Sequence, residues 1–289
     1  MSDFVNFARA HGVEIHDLYP SEKIRRCGTV DHPSSKNGAY FWDGARGFVW
    51  NWAAEAKAQW FNDASTQPWT EAEKAQWRAR RAAAAAQQSG EHRRAALRAA
   101  DMLRKAMPGE HNYLHIKGFP AMKGFVAADG ALLVPMRSVD SNELQGLQTI
   151  CWISEERHYE KKMIPGMKAK GAVLRLGNHA ASETFLVEGY ATGLSVLAAL
   201  RSVGLQASVL VCFSTGNLVQ VAPRVKGKCF VFADHDESDV GEKAAQQTGL
   251  PYCMSPFKGQ DANDLHVKAG LVAVCALLMG VRRKEATAG

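Results

Sequence analysis

At 289 residues, with 46% hydrophobic and 22% charged content, the chain has the make-up of a globular protein with one large domain or two modest ones. No apolar run reaches the roughly 18 residues of a membrane span. The stretch from Met1 to Arg9 lacks a charged segment followed by an apolar signal core, so neither a membrane partner nor a secretory leader is expected. The six cysteines are scattered, several within apolar runs, which reads as buried, reduced thiols in a cytoplasmic protein. The net charge of +6 is unevenly placed: residues 70–107 hold nine Lys/Arg against four acids. That stripe suits a polyanion, with a solvated helix face as the plainer alternative.

In chain order, residues 1–18 read as a short amphipathic helix. Residues 24–52 read as a small antiparallel sheet rich in aromatics. Asn37-Gly38 and Asp43-Gly44 are turn signals on either side of the strand Ala39–Trp42, and Phe48–Trp52 is the next strand. Residues 70–107 are strongly helical: Thr70 and Glu73 have capping-box spacing, five alanines follow, and Ser89-Gly90 is expected to split the segment into two helices. Leu132–Arg137 and Leu144–Ile150 read as paired strands around a turn at 138–143, with Pro135 marking an edge or irregular position. From 183 to 270 strands and helices alternate. Strands at 184–187, 207–213, 229–233 and 251–255 are separated by helices at 190–203, just after Ser214, and at 239–248. A last helix covers 264–283. This alternation implies a parallel sheet.

Two of those strands end in acid. Phe185-Leu-Val-Glu188-Gly189 delivers Glu188, and Phe230-Val-Phe-Ala-Asp234-His-Asp236 delivers two aspartates, whose i, i+2 spacing points both side chains to one side. Sites in α/β sheets lie at such strand ends. Three carboxylates brought together repel one another unless a hard cation sits among them, and Mg²⁺ or Mn²⁺ takes oxygen ligands. Strand-end caps or salt bridges are the structural alternative. Glu188 is readable as a metal ligand or as a general acid/base whose proton affinity is raised by the aspartates. Asp264 is readable either as a further metal ligand or as the N-cap of the last helix. His235, between the aspartates, is expected to point away from them.

The order and spacing of Glu188-Gly189, Ser214-Thr-Gly216, Asp234-His-Asp236 and Gln260-Asp261-Ala-Asn-Asp264 resemble the Toprim domain of bacterial-type primases, topoisomerases and some nucleases. Upstream, Val134-Pro-Met-Arg137, Leu147-Gln148-Thr, Lys161-Lys162 and Lys168-Ala-Lys170-Gly171 resemble the basic subdomain that precedes Toprim in primases. With His111–Gly118, the Asp129-Gly130 turn and the tryptophan-rich Gly38–Trp52 hairpins, the likeness over residues 20–270 is to plasmid- and phage-encoded primases.

The resemblance implies an α/β fold: a Toprim domain (181–289) with a central parallel sheet flanked by helices. It would be preceded by a basic α+β subdomain (111–180), a basic helical segment (70–110) and a small β-rich region (1–69). It implies catalytic and metal-binding roles for Glu188, Asp234 and Asp236, with Asp264 as a further metal ligand. It places nucleotide or DNA on Arg137, Lys161, Lys162, Lys168, Lys170 and Lys258. The implied activity is DNA-directed synthesis of RNA primers in plasmid or phage replication. Its partners would be a single-stranded DNA template, ribonucleoside triphosphates and a separate replicative helicase, since no Gly-x-x-x-x-Gly-Lys-Ser/Thr loop is present. A Toprim nuclease and a non-catalytic single-strand-binding accessory protein are the rivals. Many primases open with a zinc ribbon. Here Cys27 and His32 make one pair of ligand types and no second pair follows, so a zinc-free sheet is expected.

Overall fold

The computed structural model describes residues 3–52, 57–61 and 70–288, and the chain divides into two compact units, Met1–Ala82 and Ala83–Gly289. The proposed pairing of Thr70 with the Glu73 side chain lies outside the described residues.

The first unit opens with helix α1 (Asp3–Ala10) and strand β1 (Val13–Glu14), continues through β2 (Ser21–Thr29), β3 (Gly38–Trp42), β4 (Gly47–Asn51) and β5 (Gln59–Phe61), and enters helix α2 (Glu71–Lys105). The five strands pair in sequence order. The Asp43-Gly44 signal is realised: β3 and β4 are antiparallel with Trp42 opposite Gly47. The Asn37-Gly38 signal is not. Gly38 is a paired strand residue, opposite both Cys27 and Asn51, so the turn lies earlier in the chain. Alternation separates the aromatics. Tyr40, Val49 and Trp42 turn inward with Phe4, which stacks on Trp42 at 4.5 Å between ring centroids. Phe41, Phe48 and Trp60 line the other face, Phe48 and Trp60 at 5.1 Å. Cys27 packs against the inward cluster, and burial pushes its thiol up to about 11.

Helix α2 runs unbroken through Ser89-Gly90, against the expected split. One glycine costs a helix about 1 kcal/mol, and the strong helix formers on either side outweigh it, with Gln87 donating to Glu91 one turn on.

The second unit continues with β6 (Met107–Gly109), α3 (Asn112–Ile116), β7 (Gly124–Val126), β8 (Leu132–Ser138), β9 (Leu144–Ile153), β10 (His158–Met163), β11 (Ala172–Gly177) and β12 (Glu183–Val187). Then come α4 (Tyr190–Ser202), β13 (Ser208–Val211), α5 (Thr215–Val221), a short 3₁₀ turn (Ala222–Arg224), β14 (Lys228–Ala233), α6 (Val240–Thr248), β15 (Tyr252–Met254), α7 (Ala262–Ala269) and α8 (Leu271–Ala288). The expected single helix at 264–283 is two, divided at Gly270, whose φ of 82° breaks the helical course. These strands form one mixed sheet whose main path is β10-β9-β8-β11-β13-β12-β14-β15.

The join is β11, antiparallel both to β8 and to β13, while β13, β12, β14 and β15 run parallel. Pro135 sits in β8 opposite Leu147. On its other side the β7 pairing ends at Leu133 and the β11 pairing starts at Arg137, so the missing N–H falls in a gap between two partners.

The parallel strands are apolar on both faces because both faces are covered. Phe185, Val187, Val209, Val211, Phe230 and Phe232 pack with α4, α7 and α8. Leu186, Leu210, Val231 and Ala233 pack with α5 and α6. Asn217 of α5 stitches the join. Its Oδ1 accepts from the Gly171 N–H at 2.7 Å, and its Nδ2 donates to the carbonyls of Ala172 and Cys212, both at 2.8 Å. Among the described residues no helix is long and apolar enough to cross a membrane.

Candidate active site

The strand register brings the acids to one end. Val187 pairs with Phe232, so Glu188 and Asp234 leave neighbouring parallel strands about 4.8 Å apart, at the carboxyl ends where α/β sheets bind ligands. Glu188 is half-buried. Its backbone carbonyl accepts from the Phe213 N–H at 2.8 Å, and its carboxylate accepts a hydrogen bond from the Thr215 N–H. Phe213 takes φ of 66°, a left-handed conformation costly for a non-glycine residue. Burial raises the proton affinity of Glu188, and Asp236 raises it further; Lys161 and Thr215 oppose this.

Asp234 is the more confined acid. The residue keeps some surface, but its Oδ1 is shut off from solvent with no hydrogen-bond partner among the described residues. Burial, then Asp261 and Glu188, push its carboxyl up to about 8, with Lys161 pulling the other way. Gly241, near the start of α6, packs on its backbone: a Cβ there would strike the Asp234 carbonyl.

Asp236 behaves differently. Its Oδ1 accepts from the Ser238 N–H, the Ser238 hydroxyl and the Val240 N–H at 2.9, 2.8 and 3.1 Å, and its Oδ2 accepts from the Gly241 N–H at 2.9 Å. Burial works against ionisation here, but these donors outweigh it and hold the carboxyl below its ordinary range. Asp236 therefore satisfies the otherwise unpaired N–H groups at the start of α6. His235 faces away as expected, its Nδ1 2.9 Å from the Ser255 carbonyl and its backbone bridged to Gln260.

A second acidic group comes from α7, where Asp261 is the N-cap and Asp264 the N3 partner of a reciprocal capping box. Asp261 Oδ1 accepts from the Asp264 N–H at 2.8 Å, and its Oδ2 accepts from the Thr192 hydroxyl at 2.8 Å. The helix thus begins at Ala262, two residues ahead of Asp264, and the cap is Asp261. Asn263 is buried and ties α7 to the end of α3, donating to the Lys117 carbonyl at 2.8 Å and to Ser195 Oγ at 3.0 Å.

Lys161 faces these acids from β10. Its Nζ lies 5.6 Å from the centre of the Tyr113 ring. Burial and Lys117 lower its pKa, while Asp261, Asp234 and Asp264 raise it. The residue is exposed along the strand, and the charges of Lys117, Asp261, Asp234 and Asp264 act on its ammonium. Strand alternation sends the next residue the other way: Lys162 pairs with Glu160 at 2.8 Å. Lys168 and Lys170 are exposed between β10 and β11. Lys258 lies 3.4 Å from Asp239, close to the Asp236 turn. Arg137 lines a different recess, with Arg175 and Arg224.

Of the residues read from the sequence, the structure thus gathers Glu188, Asp234, Asp236, Asp264 and Lys161 into one electrostatic neighbourhood. Tyr113 and Lys117, inside the His111–Gly118 motif, and Gly241 carry no motif signal of their own. Among the described residues no three His, Cys, Asp or Glu side chains form a group that could hold a metal ion as they lie. Magnesium needs less than that: one or two carboxylates ordinarily suffice, with water and phosphate oxygens completing the octahedron. Glu188 and the orphaned Asp234 Oδ1 offer donors of this kind.

No known protein-family model matches the chain, and no curated protein matches it. Among solved structures, the chain is similar to the DnaG catalytic core, with 18% sequence identity and a TM-score of 0.37 over 52% of this chain and 52% of that one. The chain therefore spans about half the length of that structure.

Proposed function

We propose that the protein is a primase-type nucleotidyltransferase that makes short RNA primers on single-stranded DNA with Mg²⁺ or Mn²⁺. One observation carries the reading most directly. A buried carboxylate oxygen, Asp234 Oδ1, has no hydrogen-bond partner among the described residues and lies beside a second strand-end acid, Glu188. Leaving a buried polar atom unpaired costs about 1–3 kcal/mol, and a bound cation would offset that cost. The sequence order of the Toprim-like motifs, and a parallel sheet with acids at its carboxyl end, support the same reading.

In this proposal Asp234 and Glu188 hold the cation. When bound, it neutralises and orients nucleotide phosphates for in-line displacement. Lys161 and Lys117 face the same pocket and offset phosphate charge. Glu188, at the end of the strand beside Asp234, completes the pair of carboxylates that would hold the cation. Asp236 is the positioning residue: it fixes the α6 start, whose Gly241 supports Asp234.

The test is primer synthesis from labelled ribonucleotides on defined single-stranded templates. Asp234→Asn should abolish elongation and leave template binding within about twofold, because the contacts expected to hold DNA are cationic and salt-sensitive. Shortening of the template without product growth would assign the site to a nuclease. Loss of binding and synthesis in parallel would assign the acids a structural role.

A further inference from the structure

The opposite end of the same sheet carries a second recess, of about 600 Å³. Its floor includes Thr184, four residues before Glu188 and so about 13 Å along an extended strand. Val139, Val173, Val225 and the Ala180–Ala181 turn form its apolar walls. That turn is anchored: the Lys228 N–H donates to the Ser182 carbonyl at 3.0 Å and the Ala180 N–H to Asn178 Oδ1 at 3.0 Å.

The polar lining is cationic: Arg137, Arg175, Arg224 and Lys226 stand against the single acid Asp140. Four cations less one acid leave +3 with His179 neutral. Asp140 is already engaged, both its oxygens accepting from the Arg224 guanidinium, with Nε to Oδ1 at 3.0 Å. Arg175 rises from β11 on the same face as Val173. It is half-buried, and its one hydrogen bond among the described residues goes to the neutral Ser208 hydroxyl at 2.8 Å. Burial presses its pKa below the ordinary value. Arg137 donates to the Asn142 carbonyl at 3.0 Å. Neither arginine, nor Lys226, has a carboxylate partner among the described residues.

Half-buried guanidinium groups facing a recess without a counter-ion are costly, and the fork of an arginine matches phosphate oxygens in pairs. The volume falls in the roughly 300–1,000 Å³ range of small-molecule pockets, and the excess of three charges matches a di- or triphosphate better than a lone carboxylate. We propose that this recess binds a small di- or triphosphate-bearing molecule through Arg137, Arg175 and Lys226, with Arg224 held in place by Asp140. The site is separate from the strand-end acids and does not depend on their role.

The experiment is calorimetric titration of inorganic pyrophosphate and of ATP into the full chain in EDTA, so that no cation bridges ligand to the acids. Saturable binding is expected. A charge-assisted contact is worth about 1.5–3 kcal/mol, so Arg175→Gln should weaken binding about tenfold or more, and Glu188→Gln should leave it unchanged. Lys226 is exposed, so Lys226→Ala tests the site without risk to the fold and should weaken binding about fivefold or more, on the same scale. Three results would overturn the proposal. They are no saturable heat at millimolar ligand, equal weakening in Glu188→Gln and Lys226→Ala, or Arg175-dependent displacement of pyrophosphate by a single-stranded oligonucleotide, which would make the occupant a nucleic-acid strand.

Discussion

Asp234→Asn should make the metal-free protein more resistant to alkaline conditions, even as it removes a central group of the proposed site. The Asp234 carboxyl is lifted from an ordinary 3.8 to about 8 by burial, Asp261 and Glu188. Between those two values the folded state holds a proton that the unfolded chain has released. Stability from this group is therefore complete below about pH 4, falls steadily as pH rises, and is gone above about pH 8. At 1.36 kcal/mol per pH unit the full span corresponds to an upper bound of about 6 kcal/mol, reduced in practice by water entering the pocket.

Asparagine cannot ionise, so the variant lacks this slope. Whatever the amide gains or loses by fitting the cavity is the same at every pH and enters only as an offset. Urea denaturation of both proteins in EDTA at pH 5, 6, 7 and 8.5 measures the difference. The stability gap should move in favour of the variant by several kcal/mol across that range. Mg²⁺ at pH 8 should then restore the wild type selectively, by about 2.7 kcal/mol at a hundredfold excess over its Kd. A gap that stays flat with pH would refute the reasoning, because it would mean that Asp234 is ionised in the folded protein without a cation.

Three further outcomes are expected. Asp261→Ala removes the acceptor of the Asp264 N–H and of the Thr192 hydroxyl and should cost about 1–2 kcal/mol in urea denaturation at pH 6; the cost should shrink at pH 8.5, where the lost charge no longer repels Asp234. Gly241→Ala should cost about 3 kcal/mol, since its methyl group meets the Asp234 carbonyl; a melting temperature equal to wild type would contradict that packing. Lys161→Met keeps side-chain length but removes the charge that favours ionised Asp234 and Glu188. The acid limb of its pH–activity profile should move to higher pH, and an unmoved limb would show that Lys161 does not act on these acids.

Local chemistry, legible in the chain, accounts for much of the architecture. Apolar runs at 184–187 and 229–233 are buried strands because both of their faces are covered. Pro135 marks an irregular point because proline has no N–H to donate. The acids after those runs had to lie at the carboxyl end of a parallel layer, and alternation put Lys161 and Lys162 on opposite faces. Other outcomes depend on groups far apart in sequence. Nothing near Asp236 announces that its oxygens cap α6, while Asp234, two residues earlier, is left with an orphaned oxygen. That division depends on how α6 returns over β14. The arrival of Lys161 opposite the acids, and of Arg137 at the far end, follows from β11 pairing with both β8 and β13. Helix α2 continues through Gly90 because a local breaking signal of about 1 kcal/mol is smaller than the helical preference around it. Spacing and alternation act over a few residues and can be read directly. Desolvation and charge coupling sum over every group that the fold brings near, and only the tertiary structure names those groups.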